Sequence, residues 1–161
     1  MRTVIIYTSV LILKIGKGNI MQNQISDPIN DFLVVHLLPT AVLKPHEKHC
    51  PNNCQHWMKQ IVSEQCWTCP LLVHKDTNII MDGHHRYQIA KHLGLKYIPC
   101  ILTSYSNPYL KVYSYKDNSI IDNQLIIEAG ESGKLFDKKS TRHELQVTCI
   151  PQINIPLNAL Q

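Results

Sequence analysis

The sequence predicts a small α/β domain with short helices, and three observations carry that expectation. A chain of 161 residues is one domain's worth of material, enough for a modest core. Short β-type apolar runs, Phe32–Leu38, Leu71–His74, Ile79–Met81 and Ile98–Leu102, recur along it, separated by turn residues. Between them lie stretches with helical spacing, most clearly after Asp82, where Tyr87, Ile89, Ala90 and Leu93 share one face.

Taken in order, Val4 to Leu13 is an apolar run after Arg2, far shorter than the roughly 20 residues of a membrane helix. Lys14, Gly16, Lys17, Gly18 and Asn19 follow it in place of a small-x-small cleavage site, and Met21 opens a polar stretch to Asn30. Residues 1–31 are therefore expected to be a dispensable extension, a start at Met21 being one form of that reading and a secretory signal the lesser alternative, and residues 32–161 to form the domain. Phe32–Leu38 reads as an edge or lead-in strand closed by Pro39, and Ala41–Leu43 as a brief apolar stretch stopped by Pro45. From Asn52 to Glu64 the stripe Trp57, Met58, Ile61, Val62 predicts a helix entered through Pro51. Leu71–His74 and Ile79–Met81 flank the turn-rich Lys75-Asp76-Thr77-Asn78 and read as a hairpin.

Asp82 is expected to cap the next helix and Gly94 to stop it, with Ile98–Leu102 as the following strand. Tyr109–Tyr115 alternates as a further strand, whereas Leu125–Ala129 fits either type. Glu131–Lys139 reads as a glycine-containing basic loop. Thr141 and Glu144 have the spacing of a capping box, and Pro151 and Pro156 make the C-terminal segment irregular.

Composition narrows the function only a little. Hydrophobic residues make up 44% and charged residues 17%, a globular balance that argues against disorder. The formal charge of +4, with nine histidines beside it, suits phosphate-bearing ligands but is too small and dispersed to mark a nucleic-acid protein. Without an export signal the six cysteines are expected to be free thiols in a reducing cytoplasm.

The chemistry concentrates at Asp82-Gly83-His84-His85-Arg86. A strand-to-helix turn offers unpartnered backbone N–H groups and the positive end of a helix dipole to an anion. Gly83 removes a side chain where a phosphate oxygen would sit, Arg86 offers a two-pronged donor, and His84 and His85 add donors of tunable charge. Asp82 would repel a bare phosphate, which suits it to Mg²⁺ or to a hydroxyl or amino group of a second substrate.

Met81 to Tyr87, followed by Leu93-Gly94 and Ile98-Pro99, resembles the central box of the ParB-like domains in the free L-serine kinase family. Upstream, Leu43-Lys44-Pro45-His46-Glu47 resembles another motif of that family, and Trp67-Thr68-Cys69-Pro70 a segment ahead of the box. Downstream, Gly133 to Phe136 and Lys139 to His143 resemble its second phosphate-facing motif, and Ile155-Pro156-Leu157 its tail. The resemblance runs from about Phe32 to Leu157. It implies a small mixed-sheet ParB/sulfiredoxin-like fold. It also implies phosphoryl transfer, with Mg²⁺, from ADP or ATP to the hydroxyl of free L-serine, giving O-phospho-L-serine. In that family's terms Glu47 is the general base and Asp82 a catalytic and substrate-facing residue. Gly83, His84, His85 and Arg86 would face the transferred phosphate, and Ser140, Thr141, Arg142 and His143 would clamp the nucleotide's phosphates. Tyr115 stands where the family has a tryptophan near the amino acid.

Cys50-x3-Cys54 and Cys66-x2-Cys69 are the competing pattern, since paired thiols can build a tetrahedral zinc site. A helix of about twelve residues between the pairs would hold them roughly 18 Å apart, which favours free cysteines around a helix. The second functional class is a ParB-like nucleotide-sensing or DNA-associated regulator without kinase chemistry. It predicts a DNA-binding helix-turn-helix, and no such pattern with a basic recognition face follows residue 118. Donor nucleotide, pathway and oligomeric state are not legible.

Overall fold

The structure is a computed structural model and describes residues 3–7, 10–12, 33–146 and 150–161. The expected start at Met21 and the polar stretch up to Asn30 lie outside the described residues. Strands β1 (Thr3–Tyr7), β2 (Val10–Ile12), β3 (Val35–Pro39), β5 (Leu71–His74), β6 (Ile80–Asp82) and β7 (Tyr97–Thr103) form a six-stranded sheet in the order β2-β1-β3-β7-β5-β6. Neighbours are antiparallel except β5 and β7, which run parallel with Leu71 opposite Cys100 and Val73 opposite Leu102. The sheet is therefore mixed, as the resemblance implied.

Parallel pairing needs a crossover, and helix α2 (His84–His92) supplies it. The central strands are covered on both faces, so Leu71, Leu72, Val73, Ile98, Cys100 and Ile101 are all buried and read as continuous apolar runs. Helix α1 (Pro51–Glu64) starts with proline at its first turn and ends at Gln65, whose φ of 52° is left-handed. Its inward stripe is Cys54, Met58 and Ile61, at i, i+4 and i+7. Trp57 and Val62, expected on that stripe, are 50% and 40% exposed instead, since the core is met by the Cys54, Met58 and Ile61 edge of the helix.

The remaining elements are β4 (Cys66–Trp67), β8 (Leu110–Ser114), α3 (Asn123–Ser132), β9 (Thr141–Leu145) and β10 (Ile155–Pro156). β4 pairs with β10, and β8 with β9, each antiparallel. Short 3₁₀ turns occupy Thr40–Val42 and Leu157–Leu160. The ambiguous stretch Leu125–Ala129 is helical. Asp122 caps it by accepting from the Gln124 N–H at 2.9 Å, and Ile126, Ala129 and Gly130 face inward, with Ile79, Val112 and Ile126 forming a small second core. Asp122→Ala is expected to cost about 1 kcal/mol, read as a lowered urea midpoint with an unchanged slope.

The capping-box reading of Thr141 and Glu144 is overturned, since Thr141–Leu145 is a strand. Its pairing with β8, Ser114 opposite Thr141 and Val112 opposite His143, outweighs a local signal with no apolar helix behind it.

Candidate functional site

Backbone pairing brings the upstream motif into the middle of the molecule. Lys44 N–H donates to Asn78 O at 3.0 Å and Lys44 O accepts from Ile80 N–H at 2.9 Å. Two residues on, Phe136 N–H donates to His46 O at 2.9 Å and Lys48 N–H to Phe136 O at 3.0 Å. The segment is thus stitched to the β5–β6 hairpin on one side and to the loop after α3 on the other.

Glu47 sits at that seam. Its carboxylate accepts from the N–H groups of Lys139 at 2.8 Å, Ser140 at 2.9 Å and Thr141 at 2.9 Å, with Thr141 Oγ1 at 3.3 Å. Lys139 has a left-handed φ of 57°, which helps turn three successive N–H groups toward one anion. Ser140 Oγ donates to Asp137 O at 2.7 Å, and Asp137 in turn ion-pairs with Lys48 at 2.8 Å.

α2 begins differently from the expectation. Gly83, with φ 104°, is the N-cap, and no side chain caps the helix. Asp82 remains within β6 opposite Leu72, and its Oδ2 lies 2.7 Å from Arg86 Nη2. The N–H groups of the first turn therefore have no side-chain acceptor, a stronger arrangement for an anion than a capped helix. Arg86 is committed within the protein, donating also to Cys69 O at 3.1 Å and Pro70 O at 2.5 Å. It ties α2 to the segment Trp67–Pro70. His85 Nε2 accepts from Cys50 N–H at 3.2 Å, and burial lowers its pKa.

On β9, side chains alternate. Thr141 and His143 turn toward a buried histidine cluster, whereas Arg142 lies opposite Tyr113 with its guanidinium 5.5 Å from that ring and Nε 3.0 Å from Glu144. Arg142 thus occupies the other face of the strand from Thr141. Tyr115 is 52% exposed, and its N–H donates to Ser140 O at 3.1 Å, which sets it beside the loop that holds Glu47.

The residue that sequence reasoning left without a role is His46. It is 0% exposed, with Nδ1 2.6 Å from Ile80 O and Nε2 2.8 Å from Thr141 Oγ1. Its ring meets those of His84 at 4.5 Å and His143 at 5.5 Å, both edge-on. His143 Nε2 lies 3.2 Å from the Tyr105 hydroxyl, and Tyr105 stacks on His74 at 5.2 Å. Burial keeps this cluster neutral. His46 and His74 are lowered, His84 is held well below the ordinary range, also by its basic neighbours His46, His143, His85 and Arg86, and His143 is pushed down to about 3. The available signal was its place beside Glu47 in Pro45-His46-Glu47.

As for the cysteines, Cys54 lies within α1 and Cys66 opens β4 beyond its end. Among the described residues no three His, Cys, Asp or Glu are grouped so as to hold a metal ion. No helix of the described residues is long and apolar enough to cross a membrane.

The fold, a mixed sheet with a tight polar turn opening its crossover helix, is shared with solved structures. The fold matches a free serine kinase solved with AMP at a TM-score of 0.71 and 15% identity, covering 79% of this chain and 93% of that one. In sequence, the chain is 31% identical over 108 residues to an ATP-dependent L-serine kinase of Staphylothermus marinus, 62% of this chain and 42% of that protein. It is 34% identical over 97 residues to a ParB-like protein of Sulfolobus acidocaldarius, 57% of this chain and 48% of that protein. The chain spans less than half the length of these curated relatives, and no family model matches it.

Proposed function

We propose that the chain is a nucleotide-dependent free L-serine kinase, transferring a phosphoryl group from ADP or ATP to the serine hydroxyl. The observation that carries the reading is the meeting of Glu47 with Thr141, separated in the sequence by 94 positions and joined by hydrogen bonds, beside an uncapped helix N-terminus. Phosphoryl transfer asks little covalent chemistry of a protein and mainly needs positioning and charge neutralisation. Gly83, His84 and His85 supply a turn suited to the transferred phosphate, and Ser140, Thr141 and His143 the opposing wall, with Arg142 on the strand's other face. Glu47 takes the proton as the serine oxygen attacks. Arg86 supports this by fixing α2, since its guanidinium is held by Asp82, Cys69 and Pro70.

Mg²⁺ would be held chiefly by the nucleotide's own phosphates and water, with Asp82, whose side chain is 57% exposed, as the protein carboxylate at the turn. The ion would neutralise charge on the transferred group. Tyr115 is the side chain proposed to border the amino acid. Free serine and nucleotide as substrates suit a cytoplasmic protein. The Staphylothermus relative bears an ATP-dependent name, whereas a solved free serine kinase variant holds ADP, so both donors belong in the test.

The protein is incubated with L-serine, Mg²⁺ and either nucleotide, and O-phosphoserine is measured. Product is expected with at least one donor, and Glu47→Gln is expected to lower its rate by about a hundredfold or more. No product from either donor, with nucleotide binding intact, would overturn the kinase reading in favour of a ParB-like nucleotide-sensing module.

A further inference from the structure

The contacts around His46 contain one proton too few. Ile80 O can only accept, so Nδ1, at 2.6 Å, must carry a proton. Burial lowers the pKa of His46, and a neutral ring then has a bare Nε2, which takes the Thr141 hydroxyl proton across 2.8 Å. Glu47 Oε2, at 3.3 Å from the same hydroxyl, competes for that single proton, so one of the two contacts is always left with two facing acceptors. Three contacts share two protons. A third proton, entering at Glu47, would complete all of them.

We propose that Glu47, the Thr141 hydroxyl and His46 form a proton relay, with the buried imidazole as the final acceptor of the proton released by an alcohol substrate. The inference rests on the kinase reading and deepens it. As the substrate oxygen forms its bond to phosphorus, its O–H bond breaks and the proton passes to Glu47. Glu47 Oε2–H hands a proton to Thr141 Oγ1, which releases its own to His46 Nε2. The imidazolium keeps Nδ1–H on Ile80 O, and Glu47 returns to the ionised form. After product leaves, the proton retraces the path to solvent.

The surroundings suit an acceptor that stays neutral until used. His84 from α2 and His143 from β9 face the ring, and burial holds both neutral, so neither repels an incoming proton as a cation would. Glu47 is the charged neighbour that acts directly on His46, and it favours the protonated ring. Lys139 and Arg86 are the nearby cations, acting on His85 and His84 respectively. Thr141 and His46 are positioning residues in this scheme, since the alcohol meets Glu47.

The test has a kinetic arm and a spectroscopic arm. Thr141→Val, which keeps the shape and removes the hydroxyl, is expected to lower kcat about a hundredfold with little change in the KM for serine, and Thr141→Ser to recover most of the loss. Nitrogen-15 NMR of the unliganded protein is expected to show His46 protonated at Nδ1, with a titration midpoint that falls in Glu47→Gln. Wild-type kcat in Thr141→Val, equal losses in the valine and serine variants, or an Nε2-protonated His46 would each overturn the relay. Wild-type protein that makes no phosphoserine overturns the kinase reading and the relay's substrate with it. In that case the tautomer and the Glu47 coupling, measured without turnover, tell whether the network itself was read correctly.

Discussion

Gly83→Ala is expected to destabilise the fold by about 3 kcal/mol, combining backbone strain with overpacking. Gly83 has φ 104°, a conformation that L side chains rarely adopt, and a Cβ there would lie 2.7 Å from Leu71 Cγ and 3.2 Å from Arg86 Nη2. Leu71 is fully buried in a central strand, so it has no room to retreat. Gly94 is the internal control. Its φ is 66° and a Cβ there meets nothing within 4 Å, so Gly94→Ala should cost only about 1 kcal/mol. Urea titrations of both variants check the contrast. Equal, small losses would mean that the turn can relax and that its shape is not dictated by Leu71.

Acid is expected to unfold the protein well above the pH at which carboxylates titrate. His84 and His143 are held neutral by burial, whereas in the unfolded chain they titrate near 6.5. A folded pKa below the unfolded one means that the unfolded state binds more protons, so stability rises with pH. The contribution is complete above about pH 6.5 and is lost as pH falls through the window toward the folded values, about 3 for His143. A histidine costs about 1.4 kcal/mol per pH unit inside its window, so His143 alone removes roughly 1 kcal/mol between pH 6 and 5, and His84 adds in the same direction. His46, lowered by burial and raised by Glu47, adds in the same direction. Asp117 and Asp137 are lowered by hydrogen bonds to Ser119 and Lys48, so their influence begins only below their ordinary value of 3.8. Stability measured by urea at pH 7.5, 6 and 5 should fall steeply over the last interval. A flat profile would show that water reaches the cluster.

Much of this architecture was legible in the chain because its punctuation is local. Lys75 to Asn78 marks the β5–β6 hairpin, and Gly83 and Gly94 bracket α2 within a residue of the expectation. Pro51 opens α1 where the spacing put it. What failed was decided from afar. Thr141 and Glu144 have a helix-start spacing, yet their conformation is set by β8, some thirty residues upstream. Asp82 has an N-cap's identity, but pairing with Leu72 keeps it in the strand while its carboxylate finds Arg86. Glu47 and Thr141 could each be picked out by resemblance, whereas no periodicity announces that they touch. His46 is the clearest limit, since its importance lies in three partners, Ile80, Thr141 and Glu47, of which only Glu47 is near it in sequence.

The position of the box inside the crossover between β5 and β7 bears on how the chain matures during synthesis. β5 cannot pair with β7 until residues 75–96 have been made and folded over the sheet, so a nascent chain ending before Thr103 lacks its central pair. The tail closes the same region, with Lys96 N–H donating to Leu160 O at 2.8 Å and Leu160 fully buried. Glu47 meets its partners only once Lys139 to Thr141 have emerged. Synthesis of the β5–β7 pair is thus complete well before Glu47 can be anchored, so the sheet precedes the site.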